Sequence, residues 1–362
     1  MFLAFGEIML RVAPEGHLRF RQVLPGRVDM TFAGAEANVC AALAMWGQPC
    51  RYVTAMPSNA VTEALVTVLR GLGIDTQYLV CRDVGRLGVY FVETGANQRS
   101  SLVVYDRDHS AISLAAPQEY HFEEALRGVT WVHVTGITPS LSENAYLATL
   151  DLVRLAHARG VGVSCDLNFR NKLWRWKPGF SAKQLAHECM THILPHVKVL
   201  VANEEDAGDV LGIHAAGTKV EEGRINPAAY EQVAREIIRQ FPDLSRVAIT
   251  LRESFSADRN HWGAMLFDAE GDRAWFAPLD AQGDYRPYEI LDIVDRVGAG
   301  DAFAAGLLYA MHSADYAEPQ RGLQFAVAAS CLKHSIKGDF AYVTVPEIAA
   351  LVSGVASGRV RR

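Results

Sequence analysis

The segment D-R-V-G-A-G-D-A-F-A-A-G, Asp295 to Gly306, carries the strongest chemical signal in the chain. Gly298 and Gly300 let the main chain turn its N–H groups inward just where a helix over Ala299–Met311 is expected. A helix N-terminus with free amides is an anion site. Asp301 in that turn would repel a phosphate. It makes sense instead as a base that takes the proton from a hydroxyl attacking phosphorus, with the amides around Ala299–Asp301 stabilising charge on the transferring group. The same residues also suit a plain glycine turn whose first-turn carboxylate complements the helix dipole. No G-x-x-x-x-G-K-[ST] occurs in the sequence, so the segment is not a P-loop. Nor is it a dinucleotide fingerprint, which belongs to the first βα turn of its unit.

Two other clusters carry less. His192 and His196 have a metal-ligand spacing, but Pro195 intervenes and no third ligand is near, so no metal site is expected there. Trp174 and Trp176 lie among Lys172, Arg175 and Lys177, a pattern that could stack bases but reads as an amphipathic surface.

The elements that must position the glycine turn alternate between strands and helices. Strands are expected at Leu3–Phe5, Val161–Cys165, Val197–Val201 and Val247–Leu251. Helices are expected at Ala37–Trp46, Val61–Leu72, Asn144–Ala158, Pro227–Arg239, Ala299–Met311 and Gln320–Ile336. Several end at a glycine suited to a helix C-terminus: Gly47, Gly73 and Gly160. Such alternation predicts a mostly parallel sheet with helices on both faces. Gly88–Glu93 and Ser101–Tyr105 break it: the polar turn T-G-A-N-Q-R joins them into a hairpin. With the extended, arginine-rich segment Leu18–Phe32 they are expected to form a small β lid.

Composition bounds the function. The 362 residues are 50% hydrophobic and 21% charged, and 35 basic against 41 acidic side chains leave a net charge of -6. That excludes intrinsic disorder and argues against nucleic acid as a partner, which demands a strong basic face. No run of eighteen apolar residues occurs, so no membrane-spanning helix is expected. Glu7 interrupts the apolar N-terminus, and a signal peptide is not expected. Six cysteines without a C-x-x-C pair read as reduced thiols, consistent with the cytoplasm.

G-A-G-D-A-F near the C-terminus, together with G-A-E-A-N-V-C-A-A-L-A at Gly34–Ala44, resembles the two signature regions of the ribokinase (PfkB-type) sugar kinases. The resemblance runs from the first strand to about Pro346. G-E-I-M-L-R at the start, Y-D-R at 105–107, D-L-N-F-R at 166–170 and K-H-S-I-K-G-D-F at 333–340 are similar to the branch acting on 2-keto-3-deoxygluconate. The resemblance implies a single ribokinase-like three-layer α/β sandwich over residues 1–362, with lid segments near 8–33 and 86–113. It implies transfer of the γ-phosphate of ATP to a sugar acid, with Mg2+ on the phosphates. The alternatives are another PfkB-type kinase acting on fructose, ribose or a related ketose, and a silent sugar-acid sensor on the same fold. A homo-oligomer paired through the lid is also expected.

Site residues follow from that likeness. Gly34 and Asn38 stand where a tight turn meets a helix start, suited to a sugar hydroxyl, or simply to a turn and a cap. Tyr90 and Tyr105 on the lid strands would flank the sugar. Arg107 and Arg170 are the informative pair, because a carboxylate accepts paired hydrogen bonds from guanidinium groups and a neutral hexose does not. N-E-E-D at 203–206 resembles the family's N-x-x-E motif, assigning Asn203 to the nucleotide and Asp206, in place of glutamate, to magnesium through water. Thr250 and Arg252 fall at a nucleotide-side strand end. The segment after them, Ser254 to Trp262, is expected to be a longer turn than usual. Asp295 matches a position associated with a monovalent cation such as potassium.

Overall fold

The computed structural model describes residues 1–215 and 226–354. In chain order its strands are β1 (Phe2–Phe5), β2 (Met9–Ala13), β3 (Asp29–Ala33), β4 (Cys50–Val53), β5 (Ala55–Pro57), β6 (Val80–Arg82), β7 (Gly88–Glu93) and β8 (Leu102–Asp106). They continue with β9 (Trp131–Thr135), β10 (Gly162–Asp166), β11 (Val199–Ala202), β12 (Arg246–Ser254), β13 (Asn260–Asp268), β14 (Arg273–Ala277) and β15 (Tyr288–Ile290).

The central sheet runs β14-β13-β12-β11-β10-β9-β1-β4, with β15 on β13. From β4 to β12 every pairing is parallel, and β13, β14 and β15 close one end antiparallel. Strands such as F-L-A-F and V-L-V-A are apolar at every position because both faces are covered. Alternate residues of β1 feed different cores. Leu3 and Phe5 pack with the helices Glu143–Ala158, Ala182–Ile193 and Pro227–Gln240, whereas Phe2 and Ala4 pack with Ala35–Met45, Ala299–Met311 and Pro319–Lys333. That makes three layers, a ribokinase-like α/β sandwich. The Ala299–Met311 and Pro319–Lys333 helices meet closely: a Cβ on Gly306 would lie 2.7 Å from the Ala326 Cα.

A second sheet, β3-β2-β7-β8, stands off the first and forms the lid. Its strands β7 and β8 alternate in exposure, as in one-sided sheets, and Met9, Ala13, Ala33, Tyr90 and Val92 make a small core of their own. The hairpin β7–β8 pairs Tyr90 directly opposite Tyr105, as its sequence predicts. Two expectations are corrected. Leu18–Phe32 is not simply extended, since Phe20–Val23 is a helical turn tied to the lid by its Phe20 N–H on Glu93 Oε1 at 2.8 Å. Ser254–Trp262 is mostly strand: Ser254 pairs with Asn260 and Arg252 with Trp262, leaving residues 255–259 as the turn. That turn meets the lid tip, where the Ala257 N–H donates to the Asn97 carbonyl at 2.8 Å and the Asn97 N–H donates to Asp258 Oδ2 at 3.1 Å.

Candidate active site

The parallel strands end at a cavity of about 430 Å³ between the sheet and the lid. Such a crevice beyond the carboxyl ends of parallel strands is where ligands bind in α/β sheets. Gly34, Asn38, Tyr90, Tyr105, Arg107, Arg170, Asn203, Asp206, Thr250, Arg252, Gly298, Ala299, Gly300 and Asp301 all line it. Asp295, alone of the site residues expected from the family likeness, is not in the lining.

The glycine turn is built as its sequence suggests. Gly298 precedes the Ala299–Met311 helix with φ of 86°, and a Cβ there would lie 2.2 Å from the Asp339 carbonyl, so both conformation and space require glycine. A Cβ on Gly300 would instead meet open space. The Ala299 N–H donates to the Arg296 carbonyl at 3.3 Å, which leaves the Gly300 and Asp301 amides without a main-chain acceptor among the described residues. The anion cradle is therefore one residue narrower than the sequence alone suggests.

Asp301 is almost wholly buried, and burial lifts its carboxyl from the ordinary range to about 7. Asn38 Nδ2 donates to its Oδ2 at 2.6 Å and opposes that rise, while Asn38 Oδ1 accepts from the Gly34 N–H at 3.3 Å. Asn38 thus fixes the Asp301 carboxylate while itself lining the cavity. Gly34 is needed for closeness: a Cβ would lie 2.2 Å from the Glu7 carbonyl.

On the lid side, Arg107 is buried and its Nε donates to Glu7 Oε2 at 2.5 Å, while its Nη2 has no hydrogen-bond partner among the described residues. Its guanidinium also lies 5.8 Å from the centre of the Tyr105 ring. Tyr90 is buried with its hydroxyl on Asp339 Oδ1 at 2.7 Å, so only its ring is left for a ligand. Arg170, in the loop after β10 of the central sheet, is half-buried; its Nη1 donates to the Phe169 carbonyl at 2.9 Å, and its charge opposes the rise that burial imposes on the Asp166, Asp206 and Asp301 carboxyls.

On the far side, Asn203 Oδ1 accepts from the Glu205 and Asp206 amides at 2.8 and 2.9 Å, capping the turn that opens the Asp206–Leu211 helix. Asp206 accepts from the Phe169 and Asn203 amides. Arg252 Nη2 stands 3.0 Å from Glu204 Oε1. Burial pushes Asp166 and Asp206 up, and for Asp166 the neighbouring carboxylates Asp206 and Asp301 add to it. A divalent cation would relieve that repulsion. No group of three His, Cys, Asp or Glu side chains among the described residues is set to hold a metal, so the donors fit an ion carried chiefly by phosphates and water, as magnesium is. His192 Nδ1 bonds the Tyr146 hydroxyl at 2.7 Å, and the His196 ring contacts His157.

Asp295 departs from its expected role. Its carboxylate takes Arg11 Nη2 at 2.5 Å and the Val297 and Gly338 amides at 3.1 Å each, so both oxygens are occupied by N–H donors. Arg11 also reaches Asp339 Oδ1 at 2.7 Å. Glu7, Arg11, Asp166 and Asp339 were missed as site residues. Each is a charge inside an otherwise apolar or motif-bearing run, and that is the signal that could have found them.

Fold, cleft and glycine turn together define a carbohydrate kinase. The model of the "pfkB family carbohydrate kinase" matches residues 2–251, and the chain belongs to that family. A solved 2-dehydro-3-deoxygluconokinase from Thermotoga maritima is 42% identical, with a TM-score of 0.87 and coverage of 98% of this chain and 99% of that one. A 2-dehydro-3-deoxygalactonokinase of Haloferax volcanii is 27% identical over 356 residues, 98% of each chain. A 2-dehydro-3-deoxygluconokinase of Thermoproteus tenax is 29% identical over 342 residues, covering 93% of this chain and 89% of its own. No helix among the described residues is long and apolar enough to cross a membrane.

Proposed function

We propose that this kinase transfers the γ-phosphate of ATP to the 6-hydroxyl of 2-keto-3-deoxygluconate, the sugar acid also called 2-dehydro-3-deoxygluconate. The observation that carries the reading is one cavity with a base and an anion cradle on one side and two guanidinium groups on the other. Arg107 Nη2, buried without a partner among the described residues, is a donor awaiting an acceptor, and a carboxylate supplies one. Arg170 meets the same group, while Tyr105 and the ring of Tyr90 flank the carbon chain.

Asp301 takes the proton of the 6-hydroxyl as its oxygen attacks the γ-phosphorus, and ADP leaves with the bond to its β-phosphate oxygen broken. The Gly300 and Asp301 amides hold the charge that gathers on the transferring group. A carboxyl near pKa 7 suits this work, being about half ionised at neutral pH yet basic enough to accept the proton. Asn203, Thr250 and Arg252 are assigned to the nucleotide side. Magnesium, held by the phosphates with Asp206 and Asp166 through water, would neutralise phosphate charge.

The chain is read as one domain over residues 1–362 with its lid at 8–33 and 86–113; residues 216–225 and 355–362 lie outside those described. The lid's outer face exposes Met30, Leu102 and Val104, which supports pairing with a second copy. Six free cysteines suit the cytoplasm.

The deciding experiment offers ATP and magnesium with 2-keto-3-deoxygluconate, its galactonate epimer, fructose and ribose, and reads ADP release by a coupled assay. The gluconate-derived acid is expected to give the highest kcat/KM. Preference for the epimer would move the assignment to the substrate class of the Haloferax relative, and preference for fructose or ribose would remove the sugar acid. ATP bound without turnover of any sugar would favour a silent sensor.

A further inference from the structure

Lys333, the last residue of the Pro319–Lys333 helix, is fully buried. Its ammonium donates to the Ile336 carbonyl at 3.0 Å and reaches the Asp295 carbonyl at 3.5 Å. Burial pulls its pKa down, while the nearby Asp295 and Asp339 carboxylates pull it back up. A lysine is almost never buried completely unless its charge has a task or a partner. Here the head group sits against main-chain oxygens, the kind of ligand that holds an alkali cation.

The sequence motif suggested a monovalent cation at Asp295, and the donor set does not fit one. Both carboxylate oxygens of Asp295 are bound by N–H groups, one of them from the Arg11 guanidinium. Its carbonyl already faces the Lys333 ammonium. An added cation would have to lie among two fixed positive charges. We infer that the Lys333 ammonium is a built-in counterpart of that cation, so that the kinase needs no added monovalent ion.

The charge acts through the main chain. Asp295 heads the segment that ends in Gly298, and Gly298 rests on the Asp339 carbonyl. Arg11 and Lys333 together balance Asp295 and Asp339. Replacing Lys333 with a neutral side chain leaves one uncompensated negative charge behind the cradle where ATP phosphates are proposed to bind, a reading on which this inference rests. Lys333 is a positioning residue; it does not line the cavity.

The test measures MgATP affinity by calorimetry and turnover of 2-keto-3-deoxygluconate, first with tetramethylammonium as the sole monovalent cation and then with potassium. Both quantities are expected to change by less than about threefold in the unmodified protein, whereas a larger gain with potassium overturns the inference. Lys333→Met, checked for folding by circular dichroism and thermal melting, is expected to lose about tenfold or more in MgATP affinity, with sugar KM little changed. A folded Lys333→Met protein with unaltered ATP affinity overturns it. If that variant does not fold, the cation comparison on the unmodified protein still decides. Absence of turnover with every sugar would count against the proposed substrate alone, because ATP affinity in the two salts reads Lys333 independently.

Discussion

The two walls of the cleft are made differently. The wall around Gly298–Asp301 is main chain and buried charge: a helix start packed in the deep core, with its carboxylates, guanidinium and ammonium paired behind it. The lid wall is side chains on a thin, one-sided sheet whose own core is five buried residues. Chemistry common to all phosphoryl transfers depends on amides and a base that must not move. Discrimination between sugars depends on side chains, which sequence change can alter at little structural cost. Substitutions in the first wall should therefore reduce catalysis with any sugar, and those in the second should change which sugar is preferred.

The largest effect expected is on Asp301→Asn, which keeps the size but cannot accept the proton. Turnover should fall by about 10²–10⁴-fold with every sugar, while ATP affinity by calorimetry stays near that of the unmodified protein. Retention of more than about a tenth of turnover would take the base role from Asp301. Gly300→Val comes next. Its side chain would enter the open space beside the cradle and raise the KM for ATP by more than about tenfold, leaving sugar affinity alone. Equal ATP affinity in the two proteins would place the phosphates elsewhere.

The two arginines should differ from each other, Arg107 standing just past the lid strand β8 and Arg170 in the loop after β10 of the central sheet. Arg170→Ala should weaken the sugar acid about tenfold and spare fructose, with Arg170→Lys a partial rescue because charge survives without paired geometry. Equal losses on both sugars would remove the carboxylate contact. Arg107→Ala should also destabilise the fold, by about 3–5 kcal/mol in denaturant titration, because it strands the buried Glu7 carboxylate. An unchanged denaturation midpoint would show that the pair does not hold the lid to the sheet.

The smallest effect expected is a shift in pH profile. With Asp301 raised to about 7, its ionised form dominates only above that value, so kcat/KM for the sugar should fall as pH drops through about 7. Asn38→Ala removes a hydrogen bond that favours the ionised form, and should move this acidic limb to higher pH. A limb that stays in place would separate Asn38 from the titration.

What the sequence made legible follows the same division. The helix Ala299–Met311 was readable to the residue because glycines mark its start and apolar residues fill it on all sides. The hairpin was readable from alternation and a polar turn. Long-range pairings were not. Nothing local says that Arg11 meets Asp295 and Asp339, more than 280 residues away, or that Asn38 donates to Asp301. The partners of Asp295 were hidden for the same reason: a carboxylate in a motif looks free until the fold delivers its partner. The antiparallel end of the sheet was missed because the apolar centres of β13 and β14, G-A-M-L-F and A-W-F-A, carry no sign of strand direction.

Asp339 has a consequence for how such an enzyme can diversify. Its side chain takes Arg11 from β2 and Tyr90 from β7, and its carbonyl sets the space for Gly298. The lid can therefore be treated as a cassette, exchangeable between relatives of different substrate preference, with one main stitch to the catalytic wall. A transplant that carries Arg11, Tyr90 and Asp339 together should keep the seam intact. One that breaks up the trio would leave a buried carboxylate without its partners, and the recombinant would fail through its seam before its new specificity could be measured.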